Sequence, residues 1–277
     1  MADSNKPSTG PSSLPQYFNK LSQIYPRQTG NSTLNLFAQI TDHIAPISSS
    51  SVIHDNACGP GTASSIILKT LSLDAQPKII GTDMVPAMID AFNSAPNTNP
   101  GKMTGVVMKS EKLDFPDAHF THSITNFSIF NFQDPLAGVK EIYRTLQPSG
   151  QVVITTWKRF GIGEVIHEVQ RQIRPDLPPM KYSGPELYSG DAVVEVMVKA
   201  GFEKAGLKVL DMTHIVSGED LEGLKEFAGG PFTDSARKEW TEEEKGRWKD
   251  TLLEVLEKEK REFGGVKFEG WGLLATK

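Results

Sequence analysis

Two carboxylates and a run of small residues carry the chemistry this sequence can do. Asp55 follows the apolar pair Val52-Ile53 after one histidine, and Asp83 closes Lys78-Ile79-Ile80-Gly81-Thr82, 28 positions later. Each acid sits where a buried strand ends. Between them, Ala57-Cys58-Gly59-Pro60-Gly61-Thr62 makes a tight turn into a helix carrying Ile66-Ile67-Leu68. Glycine has no Cβ, so a ligand can approach this backbone closely, and the helix start offers unpaired N–H groups. Asp83 is placed to accept two charge-assisted hydrogen bonds from ribose hydroxyls. It is equally placed to cap the next helix, and both roles can hold together. Asp55 would repel a pyrophosphate and receive an ammonium or a hydroxyl. Dinucleotide sites want Gly-x-Gly-x-x-Gly, and here Ser64 stands where the third glycine would be.

The elements that position these residues follow from periodicity. Residues 1–13 are rich in Ser, Pro, Gly and Asn and read as a disordered tail. Tyr17, Phe18, Leu21, Ile24 and Tyr25 recur at helical spacing until Pro26 and Gly30 break the helix. Leu34, Leu36, Phe37 and Ile40 make a second helix, so residues 14–48 form a helical cap. Strands are expected at 78–83, 106–108, 120–127 and 152–157, with helices at 85–92 and 136–146 and a turn at Pro148-Ser149-Gly150. This alternation predicts an α/β fold, a doubly wound, seven-stranded, mostly parallel sheet. Residues 158–200, with Pro175, Pro178, Pro179 and Pro185, read as an insert over the site. Strands near 207–215 and 266–275 and helices at 221–227 and 241–263 complete the domain, residues 14–277. Thr241 and Glu244 make a capping box for the last helix.

Two further segments turn this frame into a resemblance. Met108-Lys109-Ser110-Glu111-Lys112-Leu113-Asp114-Phe115 precedes the fourth strand, and Glu141-Ile142-Tyr143-Arg144-Thr145-Leu146-Gln147-Pro148-Ser149-Gly150 precedes the fifth. With the Asp55–Gly61 turn and Asp83 in the same order, residues 50–157 resemble the class I S-adenosylmethionine (SAM) methyltransferases. Their first motif is usually hydrophobic-Asp-x-Gly-x-Gly-x-Gly, with Ala57 here at the first glycine. Within that family the chain looks most like the ubiquinone-biosynthesis-type small-molecule branch. Tyr25-Pro26-Arg27-Gln28-Thr29-Gly30-Asn31, taken with 54–62, looks like methyltransferases of fungal secondary metabolism.

The resemblance implies SAM as cofactor and S-adenosylhomocysteine as product. It implies cofactor contacts from Tyr25, Asp55, Ala57, Gly59, Gly61, Asp83, Met84, Ser110 and Asn126. The family's adenine-binding acid falls on Lys109, and lysine cannot accept a hydrogen bond, so backbone groups or the Ser110 hydroxyl must read the base. Thr121 replaces a second usual Asp. Acceptor contacts are expected from Phe127, Trp157, Phe160 and Tyr182. A general base is needed only for a hydroxyl or a protonated amine; His122 and His167 are the candidates, with Tyr182 and Tyr188 behind them. A lone histidine also has an ordinary reading as a packed or surface residue.

Composition limits the alternatives. The chain of 277 residues is 38% hydrophobic and 23% charged, with net charge −5, as in a globular protein with a sizeable core. No basic stripe suggests nucleic acid, no apolar run reaches membrane-spanning length, and no signal-peptide pattern opens the chain. The single cysteine, Cys58, makes no internal disulfide and reads as small buried filler, consistent with the cytoplasm. No metal constellation is evident, and oligomeric state is open. The reading is therefore methyl transfer from SAM to O or N of a small, natural-product-like acceptor. Two alternatives stand beside it: a SAM fold repurposed as a non-methylating cyclase or partner subunit, motivated by Ala57, Lys109 and Thr121, and a nicotinamide-dependent oxidoreductase.

Overall fold

The computed structural model of the chain describes residues 25–95 and 102–277. The expected tail at 1–13 and most of the first cap helix lie outside them. Seven strands form one sheet: β1 (Val52–Asn56), β2 (Lys78–Asp83), β3 (Met103–Val107), β4 (Phe120–Thr125), β5 (Leu146–Arg159), β6 (Lys208–Val216) and β7 (Val266–Thr276). Their spatial order is β3-β2-β1-β4-β5-β7-β6. The first five are parallel, and β7 runs antiparallel between β5 and β6. Central strands such as β1 and β4 are buried almost end to end, as strands covered on both faces must be.

Nine α-helices are described: α1 (Tyr25–Gln28), α2 (Ser32–Ala38), α3 (Thr62–Lys69), α4 (Pro86–Asn93), α5 (Pro135–Thr145), α6 (Gly161–Ile173), α7 (Gly190–Ala200), α8 (Asp220–Gly229) and α9 (Glu242–Phe263). One core joins the sheet to α2, α3, α4, α6, α8 and α9 through Phe37, Ile67, Phe92, Ile166, Leu224 and Leu252. The other joins the opposite face to α5 and α7 through Val139, Ile142, Val193 and Met197. Gly81 is required by this packing: a Cβ there would lie 2.6 Å from the Phe92 ring and 2.9 Å from Cys58 Sγ. Among the described residues no helix is long and apolar enough to cross a membrane.

Local signals held where they were strictly local. Thr241 and Glu244 form both halves of the capping box of α9. Three details differ from expectation. Pro26 lies inside α1, in its first turn, where the missing N–H has no intrahelical partner to lose. The edge strand β3 starts at Met103 because Thr104 and Gly105 carry no apolar signal yet pair with Ile80 and Gly81. The Pro148-Ser149-Gly150 turn is absorbed into β5 as an irregularity, with Ser149 at φ +66°, between Phe120 paired to Leu146 and His122 paired to Gln151.

Strand order reverses between β1 and β4. In open α/β sheets that reversal leaves a crevice beyond the carboxyl ends of the strands. A cavity of about 740 Å³ lies at this point, reached by Ala57 after β1, Asp83 at the end of β2 and Asn126 after β4.

Candidate functional site

The loop after β1 is built by left-handed backbone. Ala57, Gly59 and Gly61 have φ of +50°, +53° and +90°. A non-glycine residue such as Ala57 adopts this region at a cost of about 1–2 kcal/mol. A Cβ on Gly59 would meet nothing nearer than Met88 Sδ at 4.0 Å, so the space above the loop is open. The Cys58 amide donates to Thr82 O at 2.9 Å, pinning the loop to β2. Cys58 is buried, and burial pushes its thiol pKa well up, as befits a filler.

The two acids have different fates. Asp83 spans the loop and the next helix: Oδ2 accepts the Gly59 N–H and Oδ1 the Val85 N–H, each at 2.9 Å. Each carboxylate oxygen keeps a further lone pair, and the residue lines the cavity. Asp55 is one residue short of the end of β1. The strand's two-residue period turns it to the α3 side, where Oδ2 takes both the hydroxyl and the backbone N–H of Ser64. It does not line the cavity.

Burial raises the Asp55 pKa to about 7, against the pull of the Ser64 bonds. Its folded value lies above its unfolded one, so its stabilising contribution is full near pH 4 and is lost as pH rises through about 7. Buried His54, pulled down to about 3 by burial and the nearby His119, acts in the opposite sense over about pH 3 to 6.5. Asp55→Asn should therefore make stability climb more steeply with pH between about 4 and 7. The difference should reach at most one proton, about 1.4 kcal/mol per pH unit, in urea unfolding across that window.

His54 and Asn56 point to the other face of β1 and enter a buried polar chain. His54 contacts Ser123 Oγ at 3.2 Å and Thr82 Oγ1 at 2.9 Å. Thr82 Oγ1 and Ser110 Oγ both donate to Asn56 Oδ1, at 3.3 and 3.0 Å, and Asn56 Nδ2 donates to Thr125 Oγ1. Ser110 carries this chain to the cavity wall.

The cavity has two ends of different character. Asp83, Met84, Lys109, Ser110 and Glu111 form a polar end. Glu111 is held there by the Gln133 N–H at 2.7 Å. Phe127, Trp157, Phe160, Tyr182, Tyr188 and Phe268 form an aromatic end. Trp157 lies 4.2 Å from Phe127, 5.3 Å from Phe160 and 5.6 Å from Phe268, centroid to centroid. Phe127 sits at φ +48°, a strained position for a bulky residue, held by its N–H to Thr155 Oγ1 at 2.8 Å. Thr155 in turn donates to Asn126 Oδ1 at 2.8 Å. Gln28, Thr29, Ser32 and Thr33 from the cap, and Leu224, Phe227 and Phe232 from α8 and beyond, close the cavity.

Residues 54–154 match the family model of the methyltransferase domain. Over that stretch the chain is similar to methyltransferase domains, and S-adenosylmethionine is the cofactor this similarity implies. Over 240 residues the chain is 27% identical to methyltransferase tpcH of Aspergillus fumigatus, covering 81% of this chain and 83% of that protein. It is 25% identical to methyltransferase ktnA of Aspergillus niger, with the same shares covered. Among solved structures, the (4+2)-cyclase SpnF shares the fold with a TM-score of 0.58 and 14% identity, over 97% of both chains.

The donor set of the cavity fits this cofactor. Asp83 offers free carboxylate lone pairs at the cavity, the Ala57–Gly59 backbone is open above, and the volume holds a nucleoside with room beyond it. Of the residues predicted to bind cofactor, Ala57, Gly59, Asp83, Met84, Ser110 and Asn126 line the cavity, whereas Asp55 and Gly61 do not. The Tyr25 side chain is outside the described residues. Phe127, Trp157, Phe160 and Tyr182 all line it.

The two candidate bases require correction. All six histidines are among the described residues and none lines the cavity. His122 lies near the start of β4, away from the carboxyl ends, and its Nε2 donates to Ala45 O at 3.2 Å. His167 lies behind Tyr182, stacked at 4.7 Å, and its Nε2 donates to Met180 O at 2.7 Å. Burial lowers both pKa values. Tyr182 donates to Gly163 O at 3.0 Å, and burial pushes the phenols of Tyr182 and Tyr188 far up.

The sequence reading missed Glu111, Thr33, Phe227 and Phe232 as wall residues. Phe227 and Phe232 had no local signal, because their place depends on α8 folding back onto α1. That approach is close: a Cβ on Gly223 would lie 1.7 Å from Arg27 O. Arg27 also pairs with Glu226, and Asn31 with Asp220. Within the expected insert, α7 packs on α5 and β7 as an ordinary sheet-covering helix, while Phe160, Ile162 and the 180–183 segment reach the cavity.

Proposed function

We propose that the methyltransferase transfers a methyl group from S-adenosylmethionine to O or N of a small, flat, natural-product-like acceptor. The observation that carries this reading is one continuous cavity with a hydrogen-bonding end at Asp83 and an aromatic end around Trp157. In this reading Asp83 takes the ribose hydroxyls, Met84 packs on the adenine face, and the Ala57–Gly59 backbone faces the methionine part. Gln28 and Thr29 close over it from the cap. The aromatic end stacks the acceptor and excludes water. The bound cofactor supplies an electrophilic methyl on a sulfonium. The protein's contribution is then alignment and desolvation. Positioning alone supplies on the order of 7–11 kcal/mol of barrier in favourable systems. With every histidine outside the cavity, no histidine acts directly as base, and the acceptor's proton leaves by water or before binding. The reading places the enzyme in the cytoplasm, in keeping with its single reduced cysteine, and gives it no nucleic-acid partner.

Calorimetric titration with S-adenosylmethionine and S-adenosylhomocysteine, followed by a screen of aromatic phenols and amines for S-adenosylhomocysteine release, tests it. Micromolar cofactor binding and stoichiometric release with one acceptor class are expected. His122→Gln and His167→Gln should each keep kcat/KM within about threefold, since neither ring reaches the cavity; a loss of about a hundredfold, the low end for a general base, would restore that role. Acceptor conversion without S-adenosylhomocysteine would instead favour a repurposed, cyclase-like fold. No cofactor binding at all would sink the reading.

A further inference from the structure

The family's adenine acid is missing at Lys109, and the structure shows what stands beside it. With the Asn56 amide oxygen turned toward Thr82 and Ser110, the hydrogen bonds below the cavity run in one direction. Asn56 Oδ1 can only accept, so it takes the protons of both Thr82 Oγ1 and Ser110 Oγ. Thr82, having given its proton away, must accept from His54 Nε2–H, 2.9 Å away. His54 Nδ1 is then bare and accepts from Ser123 Oγ. The amide end of Asn56 is anchored by Thr125. His54, Asn56, Thr82, Ser123 and Thr125 are buried, and the His54 ring is stacked on Phe120 at 4.7 Å, so the chain is shielded from water. Burial also keeps His54 neutral over the working pH range. A hydroxyl has one proton and two lone pairs, and the single proton of Ser110 is spent inward.

We propose that Ser110 Oγ is thereby turned into a hydrogen-bond acceptor that reads the exocyclic amino group of adenine, with Asn56, Thr82 and His54 as positioning residues. This rests on the cofactor placement proposed above. A neutral hydroxyl oxygen replaces the usual carboxylate, and its direction is set by three strands of the sheet rather than by the loop that carries it. Lys109, beside it, is left to face the solvent edge of the cavity, where it is exposed.

The test compares S-adenosylhomocysteine with S-inosylhomocysteine, in which a carbonyl oxygen replaces the amino group. An acceptor at Ser110 favours the first and repels the second. Calorimetry on the full chain should show at least a tenfold preference for the adenosyl ligand, equivalent to about 1.4 kcal/mol. In Ser110→Ala that ratio should fall at least fivefold, through weaker adenosyl binding. In Asn56→Ala, Ser110 regains a free proton and can donate to the inosyl carbonyl, so the ratio should fall at least fivefold through tighter inosyl binding. A purely structural role for Asn56 would weaken both ligands together and leave the ratio in place. Ser110→Ala removes one hydroxyl and leaves Asn56 still bonded to Thr82 and Thr125, so it should fold. A wild-type preference below tenfold, or a fall below fivefold in either variant, overturns the proposal. Failure of the wild-type protein to bind either nucleoside overturns the cofactor placement itself.

Discussion

Asp83→Ala should weaken S-adenosylhomocysteine binding by about a hundredfold, roughly 2.7 kcal/mol, in calorimetric titration. Two effects add. On the proposed placement the ribose loses a charged acceptor, and hydrogen bonds to charged groups contribute about 1.5–3 kcal/mol. The glycine loop also loses its tether, because Asp83 Oδ2 holds the Gly59 N–H and Oδ1 holds the Val85 N–H. Binding must then order a loop that the wild-type protein presents already formed. Asp83→Asn keeps one carbonyl acceptor and should fall between, near tenfold. Unchanged affinity in Asp83→Ala would move the ribose contact elsewhere while leaving the cavity as the binding site.

Trp157→Ala should cost about 3 kcal/mol of stability, the lower end for removal of a large buried aromatic. Trp157 is 5% exposed and touches Phe127, Phe160 and Phe268, so its loss opens a void among these rings. The lower end applies because one side of the ring already faces the cavity, where water can enter the space. The melting temperature should drop by roughly 6–12 °C for a chain of this size. Acceptor turnover should fall further than stability alone explains, while S-adenosylhomocysteine affinity, measured well below the melting temperature, should stay within about threefold. Loss of nucleoside binding in the folded variant would place Trp157 at the cofactor end and refute the division of the cavity.

Much of the frame was legible because it is local. The left-handed turn at Ala57–Gly61 follows from small residues between an apolar strand and an apolar helix, and the capping box of α9 follows from Thr241 and Glu244 alone. Asp83 was legible as a cavity-facing acid because it closes its strand. Asp55 shows the limit. It has the same residue type and nearly the same setting, yet it bonds Ser64 on the α3 side because it lies one position before the strand's end. The two-residue period could have shown that its side chain and that of Asn56 face opposite ways. Only the folded sheet shows which way faces the polar chain.

His122 and His167 were candidates on residue type alone, since nothing in one dimension says at which end of a strand or behind which ring a histidine sits. Phe227 and Phe232 were illegible for the complementary reason: their segment has no motif, and α8 meets the cap through Gly223 and Arg27, residues 196 positions apart. The sequence by itself determined the turn, the strand and helix periods, the strand-end acid and the caps, because these depend on neighbours within a few bonds. The tertiary structure decided which acid faces the cavity, which way Ser110 gives its proton and which aromatic rings close the far end of the cavity. Those outcomes depend on strand order, register and helix crossings, which bring together residues that the chain keeps far apart.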